Sequence, residues 1–300
     1  MEYTIVATTY NDEKEISGYL HNILEFQVKP KEIIIVDGGS TDQTVTLLEI
    51  FRNKTEIPVN IISGERLNIA EGYNRAISMC RTEYIGITGI GNVYEKDFFQ
   101  KLLSVATTRG ADIVYSKIYG YEQNFFSKIY NKVFLYGDKG RLYKIPSNHG
   151  TVIRKDVFDR IGYFYEGFIY AGEDQEFYLR AKSSGCKIFS CTTAKVFWKT
   201  PCTFGEYRKQ VKNYTIAYLQ IDSLIELFKK VIFPLSLLLI IGGIIILKWA
   251  GLLFIYMIAI CLWGIYRYKS LLILFGRFIH QVITLLYMIK NLKYVRNRNR

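Results

Sequence analysis

Two segments of the chain carry carboxylates in settings where a carboxylate could do chemistry. Glu173 and Asp174 are adjacent and follow a stretch rich in glycine and aromatic residues. A carboxylate can take a proton from a hydroxyl group that lies within about 3 Å of it. Asp37 precedes Gly38 and Gly39, which let the backbone turn sharply and approach a ligand. The predicted chemistry is therefore proton transfer and recognition of a polar ligand.

Two further groups of polar residues could contact such a ligand. Thr8, Tyr10 and Asn11 follow an apolar run and could hydrogen-bond a ligand or stack on a ring. Arg66 and Asn74 bracket the start of a predicted helix, and helix N-termini attract anions. Simpler explanations stay open for these residues, because a loop asparagine often caps a helix and charged side chains often only cover a helix face.

Alternating strands and helices over the first 116 residues must position these groups. Strands are predicted at 3–7, 32–36, 59–62, 84–88 and 113–116, and helices at 12–26, 41–51, 68–79 and 96–106. This alternation is typical of an α/β fold, with a mostly parallel, Rossmann-like sheet and helices on both faces. Such sheets bind ligands beyond the carboxyl ends of the strands, which is where the polar residues lie.

The helix predicted at 41–51 has a capping box in Ser40 and Gln43. Residues 118–148 lose the regular alternation and are predicted to form an irregular excursion with at most one short helix. Regular elements resume after it, with strands predicted at 151–153, 187–189 and 194–198 and helices at 155–161 and 173–183.

The apolar pattern of the C-terminal residues predicts a membrane module. Residues 231–247 carry no charge, and 249–266 continue the apolar run after Lys248, so we predict two spans in a tight hairpin. Residues 271–290 are also apolar but carry a polar stripe at helical spacing. We therefore predict an amphipathic helix in the membrane interface there, in preference to a third span. The stripe consists of Arg277, His280, Gln281 and Thr284.

The charge is divided unevenly along the chain. Residues 1–222 carry 28 Lys and Arg against 26 Asp and Glu, whereas residues 223–300 carry 11 against 1. This division separates an N-terminal domain, 1–222, from the membrane module, 223–300. The basic excess belongs to the apolar tail, which indicates anionic lipid as the partner and argues against nucleic acid. The positive-inside bias predicts a multi-pass protein of the cell membrane with its N-terminal domain in the cytoplasm.

Cysteine usage and the N-terminus exclude other classes. The chain has five cysteines, an odd number, and no Cys-x-x-Cys pair. A disulfide framework and a zinc site are therefore disfavoured, and reduced thiols are expected. The first residues lack the basic and apolar regions of a cleaved signal peptide.

Four segments in this order resemble glycosyltransferases of family 2 with a GT-A fold, of the membrane-anchored type. They are Thr8–Asn11, Val36–Asp42, Asn68–Arg75 and Gly172–Phe177. The resemblance covers about residues 2–230. It implies an inverting transferase that takes a sugar from a nucleotide-sugar, and it implies the GT-A version of the α/β fold predicted above.

The resemblance also implies roles for single residues. Asp174 would be the catalytic base, Glu173 would position or hold the loop, and Asp37 would contact the nucleotide base. Nucleotide-sugar contacts are further expected from Thr8, Tyr10, Asn11, Gly38, Gly39, Arg66, Asn74, Gly91 and Asn92. Acceptor-side contacts are expected from His149, Trp198, Arg208 and Lys209. A structural histidine and a solvated basic face explain His149 and the Arg208–Lys209 pair equally well.

The chain departs from the family at the Asp-x-Asp segment that binds Mg²⁺ or Mn²⁺. Gly89 and Gly91 stand in the places of the two acids. We therefore predict no metal ligands from this segment, and a metal would have to be held by Asn92 or Glu95 together with the phosphates. Alternatively, cations such as Arg66 or Arg75 and backbone N–H groups could stabilise the leaving diphosphate without a metal.

Three functional hypotheses follow. The first is a membrane-anchored inverting glycosyltransferase that acts on a lipid-linked saccharide, such as one carried by polyprenyl phosphate, or on a surface polysaccharide. The second is a catalytically silent relative that serves as a binding or scaffold subunit of a glycan-assembly complex. The third, a nucleotidyltransferase, is disfavoured because no glycine-rich phosphate signature with Lys or Arg follows the first strand.

Overall fold

An eight-stranded mixed sheet is the central element of the computed structural model, which describes residues 2–168, 170–222, 224–247, 255–263 and 271–294. The strands are β1 (Tyr3–Thr9), β2 (Glu32–Asp37), β3 (Val59–Ile62), β4 (Tyr84–Thr88), β5 (Val93–Tyr94), β6 (Ile113–Tyr121), β7 (Gly150–Arg154) and β8 (Ile188–Lys199). Their order across the sheet is β3-β2-β1-β4-β7-β6-β8-β5. The four neighbouring strands β3, β2, β1 and β4 run parallel to one another. Strand β7 runs antiparallel to both of its neighbours, β4 and β6.

The helices between the strands lie where the sequence predicts them, with small shifts at their ends. They are α1 (Ile16–Leu24), α2 (Thr44–Arg52), α3 (Ile69–Met79), α4 (Phe98–Arg109), α6 (Asp156–Ile161) and α7 (Glu173–Ser183). The predicted α/β fold is therefore confirmed. It arises because apolar runs such as Ile33–Val36 are buried on both faces and must be covered by helices.

Two predicted strands, 187–189 and 194–198, are one strand in the structure. Strand β8 pairs with β6 along its length, and the register shifts between Ser116 and Lys117, where the partner changes from Cys191 to Lys195. The polar residues Thr192 and Thr193 lie in this irregularity, so the sequence pattern breaks while the strand continues.

The described chain divides into two compact units, one of residues Met1–Tyr121 and Lys139–Lys199 and the other of Glu122–Asp138 and Thr200–Arg300. The first contains the sheet and its helices. The core on one side of the sheet includes Val6, Ile34, Ile85 and Phe177, each fully buried. The domain boundary at residue 222 that the charge pattern suggests stays a prediction.

The second unit contains four labelled helices: α5 (Phe125–Phe134), α8 (Phe204–Ile221), α9 (Leu224–Leu247) and α10 (Leu271–Lys290). The excursion predicted at 118–148 thus supplies the end of β6, the helix α5 and a short 3₁₀ turn, Gly137–Lys139. Asn124 and Ser127 form a capping box at the start of α5.

The polar stripe of α10 contacts other helices of the second unit. Arg277 donates to the Val133 carbonyl at 3.3 Å, and His280 Nδ1 lies 3.0 Å from the Tyr207 hydroxyl. Thr284 is buried. The stripe is therefore the face by which α10 packs on α5 and α8.

Among the described residues, one helix, Leu272–Lys290, combines the length and the apolar composition that crossing a membrane requires. The first predicted span, 231–247, lies within α9. Of the second, 249–266, only residues 255–263 are described, and they are helical. The two predicted spans and the interfacial position of residues 271–290 stay predictions.

Candidate active site

The loops after β1 and β2 are joined by hydrogen bonds. Asn11, with φ +54°, donates from its backbone to the Ser40 hydroxyl at 2.8 Å and accepts from the Thr41 N–H at 2.8 Å. Asp12 donates from its backbone to Thr44 Oγ1 at 2.8 Å. The Ser40 hydroxyl is engaged in this loop contact and does not cap α2, which begins at Thr44. The predicted capping box of Ser40 and Gln43 is therefore wrong.

Asp37 shapes the second of these loops. Its side chain is buried, and its carboxylate accepts from the Gly39 N–H at 3.1 Å and the Ser40 N–H at 2.9 Å. The Ser40 hydroxyl donates to the other carboxylate oxygen. The predicted contact of Asp37 with a nucleotide base stays a prediction, and in the structure this residue holds the turn.

The two glycines after Asp37 allow a second loop to lie directly against this turn. A Cβ on Gly38 would lie 2.8 Å from the backbone oxygen of Leu67, and Gly39 has φ +89°, where other residues are strained. Gly72 is equally close to the sheet, since its Cβ would lie 2.7 Å from Thr8 Cγ2. Gly72 was not predicted as a site residue, although it lies within the segment Asn68–Arg75.

These close approaches line a cleft of about 210 Å³ at the carboxyl ends of β1 and β2. Tyr10 is half exposed, and the Arg66 guanidinium lies 5.6 Å from the centre of its ring. Asn68 caps the N-terminus of α3 through a reciprocal capping box with Glu71. The lining residues are Thr8, Thr9, Tyr10, Asp12, Val36, Gly38, Leu67, Asn68, Ile69 and Gly72. Three of the residues predicted to contact the nucleotide-sugar, Thr8, Tyr10 and Gly38, thus line one cleft, which the N-terminus of α3 faces.

Asn74 does not line that cleft. Its amide accepts from the Phe164 N–H at 2.9 Å and donates to the Phe164 carbonyl and to Glu166, both at 2.8 Å. Asn68 reaches the same loop through the Glu166 carbonyl at 3.0 Å. Arg75 forms an ion pair with Glu65 at 2.6 Å. The two asparagines therefore attach α3 to the loop that precedes Glu173 and Asp174.

Glu173 and Asp174 open α7, after Gly172 with φ +113°. Burial and the adjacent Asp174 raise the pKa of Glu173 to about 8. Burial also raises the pKa of Asp174, against a hydrogen bond of 2.7 Å from the Gln175 N–H that favours its charge. Burial therefore disfavours ionisation of both carboxyl groups, and the two interact closely enough to titrate as a pair.

Glu173→Gln is expected to change how stability depends on pH. The folded-state pKa of Glu173 lies above its ordinary value of 4.5, so this group stabilises the fold fully below about pH 4.5. That stabilisation is lost as the pH rises toward about 8. Between pH 5 and pH 8, the free energy of unfolding should therefore fall less in the variant than in the wild type, by at least about 1 kcal/mol. Urea unfolding at pH 5 and pH 8 measures it, and equal declines in the variant and the wild type would contradict it.

His149, Trp198 and Asn92 form a polar and aromatic cluster. The His149 and Trp198 rings lie 4.8 Å apart, and Asn92 Nδ2 lies 3.3 Å from His149 Nδ1. Burial lowers the pKa of His149 to about 4, so its ring is neutral at physiological pH. The Tyr94 hydroxyl donates to the His149 carbonyl at 2.8 Å. A neutral histidine beside an aromatic ring can position a sugar but cannot neutralise a phosphate.

The remaining predicted acceptor-side residues, Arg208 and Lys209, lie on α8 in the second unit. Both are exposed. Their contact with an acceptor stays a prediction.

The residues around the Asp-x-Asp position do not fit Mg²⁺ or Mn²⁺. Gly89 and Gly91 offer no carboxylate, and the Asn92 amide is turned toward His149. Glu95 forms ion pairs with Lys101 and Lys195. Within the described ranges, no group of three His, Cys, Asp or Glu side chains could hold a metal ion.

Comparisons with known proteins agree with this geometry. Residues 4–164 match the family described as Glycosyl transferase family 2, and residues 92–290 match the Glycosyl transferase family group 2. The chain is similar in fold to the mannosyltransferase PcManGT from Pyrobaculum calidifontis, solved with GDP-Man and Mn²⁺. That likeness has a TM-score of 0.69 at 16% identity and covers 97% of this chain and 87% of the other.

Two relatives with described activities are somewhat more similar in sequence, at 22% and 23% identity. The poly(ribitol-phosphate) beta-N-acetylglucosaminyltransferase TarS of Staphylococcus aureus is 22% identical over 215 residues, which cover 69% of this chain and 37% of TarS. The chain thus spans little more than a third of that relative. The O-antigen chain rhamnosyltransferase WbaN of Salmonella anatum is 23% identical over 209 residues, 65% of each protein.

The family match covers more than half of the chain and includes the cleft, and the solved relative has the same α/β architecture. The chain therefore belongs to glycosyltransferase family 2 and has the GT-A fold.

Proposed function

We propose that the protein transfers a sugar from a nucleotide-sugar to a lipid-linked saccharide or a surface polysaccharide, with inversion at the anomeric carbon. The observation that carries this proposal is the position of α3. Its N-terminus lines the cleft through Asn68 and Gly72. Its Tyr73 ring lies 5.7 Å from the Phe164 ring, which lies 4.6 Å from Phe177 of α7, the helix that Glu173 and Asp174 open. A ligand in the cleft would therefore lie on the same helix that supports the buried acids.

The cleft suits the nucleotide diphosphate part of the donor. Tyr10 offers a half-exposed ring for stacking, and Arg66 adds a positive charge beside it. The N-terminus of α3 presents backbone N–H groups to an anion. Solved relatives carry such donors: TarS has been solved with UDP-GlcNAc and PcManGT with GDP-Man.

Asp174 would take the proton from the acceptor hydroxyl as its oxygen attacks the anomeric carbon. The bond from that carbon to the diphosphate breaks on the opposite face, and the nucleoside diphosphate leaves with the electron pair. Glu173 stays protonated and so adds no second negative charge beside the attacking oxygen. His149 and Trp198 provide a neutral aromatic surface for the acceptor sugar.

The acceptor class is proposed from the relatives and from the C-terminal residues. TarS acts on poly(ribitol-phosphate) and WbaN on an O-antigen chain. A relative from Methanococcus voltae, 23% identical over 71% of this chain, acts on a dolichyl-linked sugar. The apolar helix Leu272–Lys290 and the basic excess of residues 223–300 support membrane anchoring, with Arg208 and Lys209 available for a lipid phosphate.

The missing Asp-x-Asp favours one alternative, a silent relative that binds a nucleotide-sugar without turning it over. The test is nucleotide release by the detergent-solubilised full chain with a lipid extract from its own membranes, across UDP-, GDP- and dTDP-sugars. We expect release from one donor, and NMR of the product should show the inverted anomer. Nucleotide binding without release from any donor would support the silent relative, and a retained anomer would overturn inversion.

A further inference from the structure

The strand pairing around the Asp-x-Asp position places Lys199 there. Strands β5 and β8 are antiparallel, with Val93 opposite Phe197 and Tyr94 opposite Val196. Continuing this register by two residues sets Lys199 opposite Gly91. By the resemblance to the family, Gly91 stands where the second acid of the Asp-x-Asp would be expected.

Side-chain contacts agree with the register. A Cβ on Gly91 would lie 3.6 Å from Glu15 Cγ and 3.9 Å from Lys199 Cδ. Lys199 and Glu15 form an ion pair. Glu15 is joined to the cleft, because the Glu15 N–H donates to the carbonyl of Asp12, which lines it, at 3.0 Å. Glu15 and Lys199 thus both lie beside Gly91, and one backbone hydrogen bond connects Glu15 to a residue of the cleft.

Lys199 differs from the other cations in this region by its contact with Gly91, since the ion pairs of Arg75 and Lys195 are similarly open to water. Arg75 is paired with Glu65 and Lys195 with Glu95. The Lys199 side chain is 43% exposed and Glu15 is 23% exposed, so their ion pair is open to water. Ion pairs in such positions contribute little to stability, and a diphosphate with two negative charges can displace a single carboxylate.

We infer that Lys199 supplies the positive charge that stabilises the departing diphosphate, in the place where metal-binding relatives hold their ion. This inference rests on the proposed function. Glu15 holds the ammonium group beside the cleft until a donor binds. As the bond to the anomeric carbon breaks, the negative charge that develops on the diphosphate is met by the ammonium group, with no proton transfer.

The test is nucleotide binding by the full-length protein in EDTA, measured by calorimetry with UDP, GDP, CDP and dTDP and with the matching monophosphates. Lys199→Met keeps the apolar stem and removes the charge. We expect it to raise the Kd of the bound diphosphate about tenfold and to leave the Kd of the monophosphate within about twofold. Lys195→Met, on the same strand, should change neither.

The outcomes separate the two proposals. Unchanged diphosphate affinity in Lys199→Met, or an equal loss for diphosphate and monophosphate, overturns the role of Lys199 alone. A decrease of more than tenfold in the wild-type Kd for the diphosphate on addition of Mn²⁺ also overturns the role of Lys199. Failure of every diphosphate to bind the wild type overturns the proposed function and this inference together.

Discussion

Asp174→Asn is expected to lower the rate of sugar transfer by about 10²–10⁴-fold, the usual contribution of a positioned general base. The asparagine keeps the shape of the side chain and can still accept from the Gln175 N–H. It cannot take a proton from the acceptor. Nucleotide affinity should therefore stay within about twofold of the wild type, and the loss should appear in kcat and not in donor binding.

Nucleotide release under saturating donor measures the effect, together with calorimetric binding of the nucleotide. Glu176→Gln is the matched control, because it removes an acid from the same helix, where Glu176 is paired with Arg180 at 2.9 Å. Its rate should stay near that of the wild type. Full activity in Asp174→Asn would contradict the base role and favour an acceptor that is already ionised, such as a lipid phosphate.

The same base predicts a pH dependence of the transfer rate. Burial raises the pKa of Asp174, so the fall in kcat/KM toward acid should begin at a higher pH than for an ordinary aspartate. In Asp174→Asn the residual kcat/KM should not show this fall toward acid pH.

Gly38→Ala is expected to disrupt the donor cleft. The new Cβ would lie 2.8 Å from the Leu67 backbone oxygen, which no side-chain rotation can relieve. The loop that carries Arg66 and Leu67 must move, which lowers the free energy of unfolding by about 1–3 kcal/mol. Because Leu67 and its neighbour Asn68 line the cleft, nucleotide affinity should fall at least about tenfold.

Urea unfolding and calorimetric titration with the nucleotide measure the two effects. Gly18→Ala is the matched control, since no atom lies within 4 Å of its added Cβ and its backbone is helical. That variant should gain up to about 1 kcal/mol of stability, because alanine favours a helix more than glycine does. Nucleotide affinity preserved in Gly38→Ala would show that this loop is not part of the donor site.

The sequence by itself determined the fold class and the placement of the site. Buried runs such as Ile33–Val36 must be covered on both faces, and the carboxyl ends of parallel strands share one edge of the sheet. Thr8, Tyr10 and Gly38 follow the first two strands, so their meeting at one cleft was predictable. The missing acids at Gly89 and Gly91 were equally plain.

Only the tertiary structure decided what single polar groups do. Asn74 carries a side chain suited to a ligand, yet its amide accepts a hydrogen bond from the Phe164 N–H on a distant loop. Ser40, a good capping residue, bonds instead to Asn11 in the loop after β1. Hydrogen-bond partners that lie tens of residues apart in sequence are set by packing, and local propensity carries no information about them.

The same holds for charge. Glu173 and Asp174 have similar intrinsic acidity; burial raises the pKa of both, and the adjacent Asp174 charge adds to the shift of Glu173. Lys199 reaches Gly91 through strand pairing across more than 100 residues. Pattern and spacing along the chain determine which elements form, because those depend on local periodicity. Which groups meet, and in which protonation state, depends on distances and burial that exist only after the sheet has assembled.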